Sequence, residues 1–244
     1  MLVIIIIFIG HWYLSLFFQT FFHHRYASHK MYTMKPITEK IFYLLTFLFQ
    51  GSSFLNPAAY AVMHRNHHAY AETKKDPHSP KIYTNIIDFN KQTFVEYRNL
   101  VNQFLNNQIS LSDVPRWPTL ERIAESLVTR IFFVIFYIGI YVLYSPSPWF
   151  YSLIPLHIFM GPIHGFIVNW FGHTVGYRNF NQQPDNSKNT LPVDIVMMGE
   201  LYQNNHHKAP NKRNFAVRWF ELDIGHLISA FLLKLNIIQL NKVN

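Results

Sequence analysis

No Asp, Glu, Lys or Arg occurs between Met1 and Phe22, nor between Ile131 and Gly176. Uncharged tracts of this length tie a chain to a lipid bilayer more firmly than any motif does. At about 1.5 Å rise per residue the first tract covers roughly 33 Å as a helix, enough to cross the hydrocarbon core. It has no basic n-region and no small-residue cleavage site, so it reads as a retained span rather than a signal peptide. It ends at an aromatic, basic interface, Phe21-Phe22-His23-His24-Arg25. The second tract is too long for one span and is broken by Ser145-Pro146-Ser147-Pro148. Ile131–Tyr144 and Trp149–Phe171 are therefore expected as the two helices of a hairpin that enters and leaves on one side. Ile41–Met63 is apolar enough to span but is interrupted by Gln50-Gly51-Ser52-Ser53 and Asn56-Pro57. A crossing there would put the histidine-rich stretches before and after it on opposite sides. We read it as re-entrant or interfacial.

Charge supports this map. Charged residues make up 14% of the chain, against about 25% in an ordinary soluble domain. All 21 Lys and Arg fall within 23–130 or 172–244, and the positive-inside rule makes both stretches cytoplasmic. The basic excess follows the membrane map and forms no stripe, so nucleic acid is excluded as a partner. The polar region 81–130 reads as a connector with short helices. The absence of Cys removes disulfides, thiolate zinc sites and iron–sulfur clusters. The fold class is all-α: an integral membrane helical protein, one domain over 1–244, with transmembrane hairpins and a cytoplasmic histidine-rich cap holding a dimetal site.

The outlier is His, at 14. His24 and His29 stand at the end of the first span, His64, His67 and His68 follow the re-entrant segment, and His173 follows the last span. Gln203, His206 and His207 form a third cluster. At about 100° per residue, positions i, i+3 and i+4 share a helical face. His64, His67 and His68 therefore project together, as do Gln203, His206 and His207, and Asn169 pairs with His173. His24 and His29 are roughly 140° apart on an α-helix, so they straddle a site or serve two metals.

Eight imidazoles on one cap exceed the needs of one ion; two ions with about four or five ligands each is the natural count. Imidazole suits Zn, Cu, Fe and Ni. A redox pair with open positions fits better than structural zinc, which closes with four ligands. The Glu-x-x-His pattern of soluble di-iron bundles is absent. Asp76 and Glu200 are candidates to hold ligand imidazoles in position, and His78 is a candidate either for such support or for turn chemistry. His11, His23, His157, His164 and His226 are read as satisfied polar residues. Phe166, Trp170 and Phe171 are candidate linings of an apolar tunnel, against packing roles. Arg116, Arg122, Arg130, Lys208, Lys212 and Arg213 are read chiefly as interface anchors, with substrate phosphate contacts as the alternative.

These stretches resemble the membrane-bound acyl-CoA desaturase family, the stearoyl-CoA desaturase type and its bacterial members in particular. The resemblance is carried by HRYASH at 24–29, HRNHHAYAETKKDPHSP at 64–80, NWFGHTVGYRNF at 169–180 and GELYQNNHHKAP at 199–210, in the family's order. It runs from about Phe17 to Gly225 and implies a non-haem di-iron enzyme. Such an enzyme uses O₂ and two electrons to place a cis double bond in a fatty acyl chain, as acyl-CoA or acyl-lipid. By resemblance the metal ligands are His24, His29, His64, His67, His68, His173, His206 and His207, with Asn169 reaching one metal through water. The implied location is a bacterial inner membrane with the cap cytoplasmic.

Two departures bear on activity. The family's third histidine box usually starts with His, where this chain has Gln203, whose amide oxygen is a weaker ligand. The chain also begins inside a span, so the first half of the family's N-terminal hairpin is expected to be missing, as in a shortened gene model. Nothing in the chain supplies electrons, which implies a separate donor of ferredoxin, rubredoxin or cytochrome b5-like type. A related di-iron lipid hydroxylase or ketolase is the nearest alternative reading. A His-rich divalent-metal transporter is more distant, because the clusters sit on one cap and not at mid-membrane.

Overall fold

The computed structural model describes residues 1–241. The first uncharged tract is helix α1, Leu2–Phe18, and its axis continues without a break into a π-helix, Gln19–Ser28. Together they form one candidate span, Leu2–Ser28. A two-residue strand β1 (Tyr32–Thr33) follows and pairs antiparallel with β2 (Gln239–Leu240), Tyr32 facing Leu240.

Helix α2 (Pro36–Gln50) starts on Pro36, whose missing N–H costs nothing at a first helical position. It stops at Gly51, which takes a left-handed φ of 53°. A 3₁₀ turn over Gly51–Ser53 leads to α3, Pro57–Tyr70. Asn56 caps α3 by accepting the backbone N–H groups of Ala58 and Ala59 at 3.0 and 3.1 Å, a standard use of Asn at that position. The interruption expected within Ile41–Met63 is therefore real.

The 81–130 connector departs from the expected short helices. Most of it is one 20-residue helix, α4 (Ile86–Leu105), followed by the short α5, Pro118–Ala124. The cause is an amphipathic pattern that buries Phe89, Tyr97, Val101 and Phe104 on one side, hidden in sequence by the many amides between them.

Helix α6 (Leu127–Tyr144) is the second candidate span. The expected partner helix is not straight. A 3₁₀ turn (Pro148–Leu153) and α7 (Ile154–Ile158) meet α8 (Met160–Phe166) at a bend of 73°. Helix α8 runs on through a π turn (Ile167–Phe171) into α9, Gly172–Thr174. Pro162 has no N–H to give the carbonyl of Ile158, and the Ser52 hydroxyl donates to it instead at 2.9 Å. The Gly161 N–H is taken by the Ser53 hydroxyl at 3.0 Å. The two breaks thus satisfy each other's backbone, the condition for irregular structure at membrane depth. Helices α10 (Gln203–Lys208) and α11 (Ile224–Lys234) complete the described chain.

The main core is aromatic: Phe18, Phe21, Phe22, Phe42, Tyr43, Phe47 and Phe54 pack where α1, its π extension, α2 and the break meet. Exposed apolar side chains such as Ile6, Phe132, Ile135 and Val142 lie on the two candidate spans, as lipid-facing residues should.

Candidate metal centre

Eight imidazoles converge in two groups. Ligand atoms of His24, His29, His64, His68 and His206 lie within 4.8 Å of one another, and so do those of His67, His173 and His207. No other histidine joins either group among the described residues. His11, His23, His157, His164 and His226 stand outside both; the reading of all five as satisfied polar residues is corrected at His164, which is buried with neither ring nitrogen hydrogen-bonded. His23 is held by the carbonyl of Leu55 at 2.7 Å, and His11 and His157 face each other at 2.6 Å.

The local folding explains the grouping. On α3, His64 and His68 point to the larger group while His67 points to the smaller, so the shared face expected of all three is divided between two centres. On α10, the neighbours His206 and His207 are divided in the same way. The expectation for His24 and His29 is corrected. Their segment is a π-helix with i→i+5 bonding, seen in the His29 N–H to His24 carbonyl bond at 3.1 Å, so five residues close about one turn. Both rings enter the same group, with centroids 4.9 Å apart.

The ring nitrogens of the larger group cannot be satisfied by each other. The Nε2 atoms pair as His24–His206 (3.0 Å), His29–His64 (2.7 Å), His68–His64 (3.0 Å) and His68–His206 (2.9 Å). Each imidazole nitrogen offers one in-plane direction, whereas His64, His68 and His206 each face two partners. A shared cation resolves this. The donor set, imidazole without thiolate, fits iron, zinc or copper.

Carboxylates stand behind these rings. The Nδ1–H of His67 donates to Asp76 at 2.9 Å and that of His207 to Asp185 at 2.8 Å. The Nδ1 of His24 lies 2.6 Å from Glu200. His173 Nδ1 is 3.6 Å from Glu72, beyond hydrogen-bond range. A proton fixed on Nδ1 leaves the Nε2 lone pair for a metal and fixes the ring's orientation. Glu200 also accepts from Arg25 at 2.6 Å, and the same fully buried guanidinium reaches both oxygens of Asp223 at 2.9 and 3.0 Å.

Electrostatics favour neutral rings. Burial, reinforced by neighbouring imidazoles, holds His64 and His206 well below the usual histidine range. His207 is lowered to about 4 by burial, against the raising effect of Asp185. Burial opposes ionisation of Glu200, yet its contacts with the His24 ring and the Arg25 guanidinium bring it down to about 2.

Gln203 is buried, and its Nε2 donates to the carbonyl of Glu200 at 2.8 Å. It packs on Gly172, where a Cβ would meet its Cγ at 2.4 Å. Asn169 donates to the carbonyl of Gly165 at 2.9 Å and lines two cavities beside the rings. His78 is buried with neither ring nitrogen partnered, its ring 4.5 Å from that of His67. It shares with His67 and Asp76 a further group of close ligand atoms and lines the apolar cavity next to His64 and Asn169. Phe166 lines that cavity; Trp170 and Phe171 do not, Trp170 instead packing against Phe89 at 5.3 Å. Arg116 is committed to Glu121 at 3.0 Å and Arg122 to the carbonyl of Leu105 at 2.6 Å, which makes them structural.

The model of the fatty acid desaturase family matches residues 1–237. The chain belongs to the fatty acid desaturase family. It is an oxidoreductase of fatty acyl chains, with a metal-binding histidine site and membrane-crossing helices. It is 26% identical to the Delta-9 desaturase-like 4 protein of Arabidopsis thaliana over 87% of this chain and 68% of that protein. It is 26% identical to a hex-5-enoyl-acyl-carrier-protein acetylenase of Moorena producens, over 94% of this chain and 74% of the relative. It is 24% identical to an sn-1 stearoyl-lipid 9-desaturase of Synechocystis, over 86% and 62%.

Sequence reasoning missed two of the desaturase's supporting carboxylates. Glu72, 3.6 Å from His173, lies past the end of α3 in a left-handed turn with φ 60°, where helical spacing gives no signal. Asp185 sits in a loop 22 residues before His207, with no local pattern to mark it.

Proposed function

We propose that this desaturase inserts a cis double bond into a fatty acyl chain at a pair of iron ions, with His24, His29, His64, His68 and His206 around one and His67, His173 and His207 around the other. The observation that carries this reading is the pair of imidazole groups, the larger of which reaches an apolar cavity between α3, α4 and α8 through His64. When bound, reduced iron with O₂ supplies the oxidising power that no side chain has: two substrate hydrogens, two electrons, two protons and O₂ become the alkene and two waters. The protein's own residues do the rest. Met63, Phe89 and Phe166 hold the methylenes against the rings and keep bulk water out. Asp76, Asp185 and Glu200 fix the rings of His67, His207 and His24 through their Nδ1 atoms. Gln203 and Asn169 stand as neutral amides in a small cavity lined also by His24 and His64 of the larger group.

The distribution of Lys and Arg favours a cytoplasmic histidine cap, within reach of a separate electron donor of ferredoxin, rubredoxin or cytochrome b5-like type. The test is the fatty acid profile, by gas chromatography–mass spectrometry, of a bacterial host lacking this activity. Cells expressing the chain should gain a monounsaturated acid that cells expressing His206→Ala at matched level lack. An oxygenated product in its place would make the enzyme a hydroxylase or ketolase.

A further inference from the structure

The cavity beside His64, His78 and Asn169 does not end within the protein. Leu55, Asn90, Phe94, Tyr97 and Pro162 line both it and a larger, mainly apolar cavity. The two cavities adjoin along those five side chains, as the inner and outer parts of one candidate passage. Its outer part is walled by Phe94 and Arg98 of α4, Leu127, Arg130 and Val134 of α6, and Phe159 at the bend between α7 and α8.

One of those walls, α6, is a candidate membrane span, and the bent α7–α8 pair is apolar enough to be a broken span or a re-entrant loop. The rim is apolar and open: Leu127 is 70% exposed, Phe94 63% and Phe159 57%. The third wall, α4, buries one face and leaves Ile86, Ile87 and Phe94 exposed on another, the character of a helix lying in the membrane interface. The mouth thus faces the edge of the hydrocarbon layer, at the N-terminal, charged end of α6. There Arg98 and Arg130 reach the same buried carboxylate, Glu125, at 2.5 and 2.8 Å. Two guanidinium charges against one carboxylate leave a net positive charge at the rim, suited to an anionic lipid headgroup.

We propose that the acyl substrate is carried on a bilayer phospholipid and enters sideways through the mouth between α4, α6 and the α7–α8 bend. The chemistry done on it rests on the desaturase reading above; the route does not. A water-soluble thioester would have to leave the aqueous phase to use an opening rimmed by Leu127, Phe94 and Phe159, whereas a phospholipid already presents its acyl chain there.

The test uses the full chain, iron-loaded and reduced, in lipid nanodiscs. Deuterated stearoyl chains are offered as phosphatidylglycerol, as stearoyl-CoA or as stearoyl-acyl carrier protein. The double bond should appear in intact phosphatidylglycerol, about tenfold or more faster than on either thioester. Conversion of a thioester alone overturns lipid entry and leaves the desaturase reading standing.

The second measurement needs no turnover. Because the chain has no Cys, Phe94→Cys, Phe159→Cys and Lys212→Cys each carry a single fluorescent label. Phosphatidylglycerol vesicles with brominated acyl chains should quench labels at 94 and 159 and spare the label at 212. Unquenched labels at 94 and 159 overturn the route. If no carrier is converted, the desaturase reading fails and the substrate proposal fails with it; quenching then supports or overturns the lipid route alone.

Discussion

His24 and His29 face one cluster across five residues because the helix carrying them is wound with π geometry, which puts their ring centroids 4.9 Å apart. Inserting one Ala between Tyr26 and Ala27 moves His29 off that face and leaves the first span intact. The larger group then keeps four imidazoles, and its ion should be lost sooner under chelator challenge than in the unmodified chain, with helicity by circular dichroism unchanged.

Adjacent residues on α10 serve different groups, and the groups are unequal. The larger keeps four imidazoles when His206→Ala removes one, while the smaller keeps two when His207→Ala does. His207→Ala should therefore lose its ion more readily under chelator challenge. Gln203→His adds an imidazole to the small cavity beside His24 and His64 and should slow loss of the larger group's ion under the same challenge.

Asp185 orients His207 from 22 residues away. Asp185→Asn keeps the shape but removes the charge that fixes the Nδ1 proton. We expect about 10–100-fold weaker metal binding, read by chelator competition, with little change in the unfolding temperature of the metal-free protein.

The histidines also set a pH limit. Burial lowers the folded-state pKa of His64 and His206 well below the ordinary value and that of His207 to about 4, while the unfolded chain titrates near about 6.5. The unfolded state then binds more protons as pH falls, so stability is full above about 6.5 and declines toward 4. Glu200, held at about 2 against burial by His24 and Arg25, adds a further loss in the same direction as pH falls below about 4. The unfolding temperature of metal-free protein in detergent should be flat from pH 7 to 8 and drop steadily below 6.5.

Much of this site was legible because its ligands come in short helical runs. Two ligand runs lie on single helices, α3 and α10, so spacing alone brings their rings together. The spans were legible for the same reason, as uncharged tracts. Three features were not. The π winding of 19–28 changes the helical period without changing composition. The bend at Phe159 depends on Ser52 and Ser53 from a distant turn taking over backbone groups that Gly161 and Pro162 leave exposed. Asp185 reaches His207 through tertiary folding only. Each depends on a contact between residues far apart in the chain, which no local pattern carries.

Arg25 carries a further consequence. Its buried guanidinium is shared by Glu200 and by Asp223, the latter 198 residues downstream. A buried charge with a missing partner is strongly unfavourable, so the end of the first span cannot settle beside His24 until the ribosome has made residue 223. The first segment is threaded into the bilayer long before the imidazoles have a place to converge. Biosynthesis runs ahead of metallation: the histidine site is complete only once residues 206–223 have followed the first segment off the ribosome.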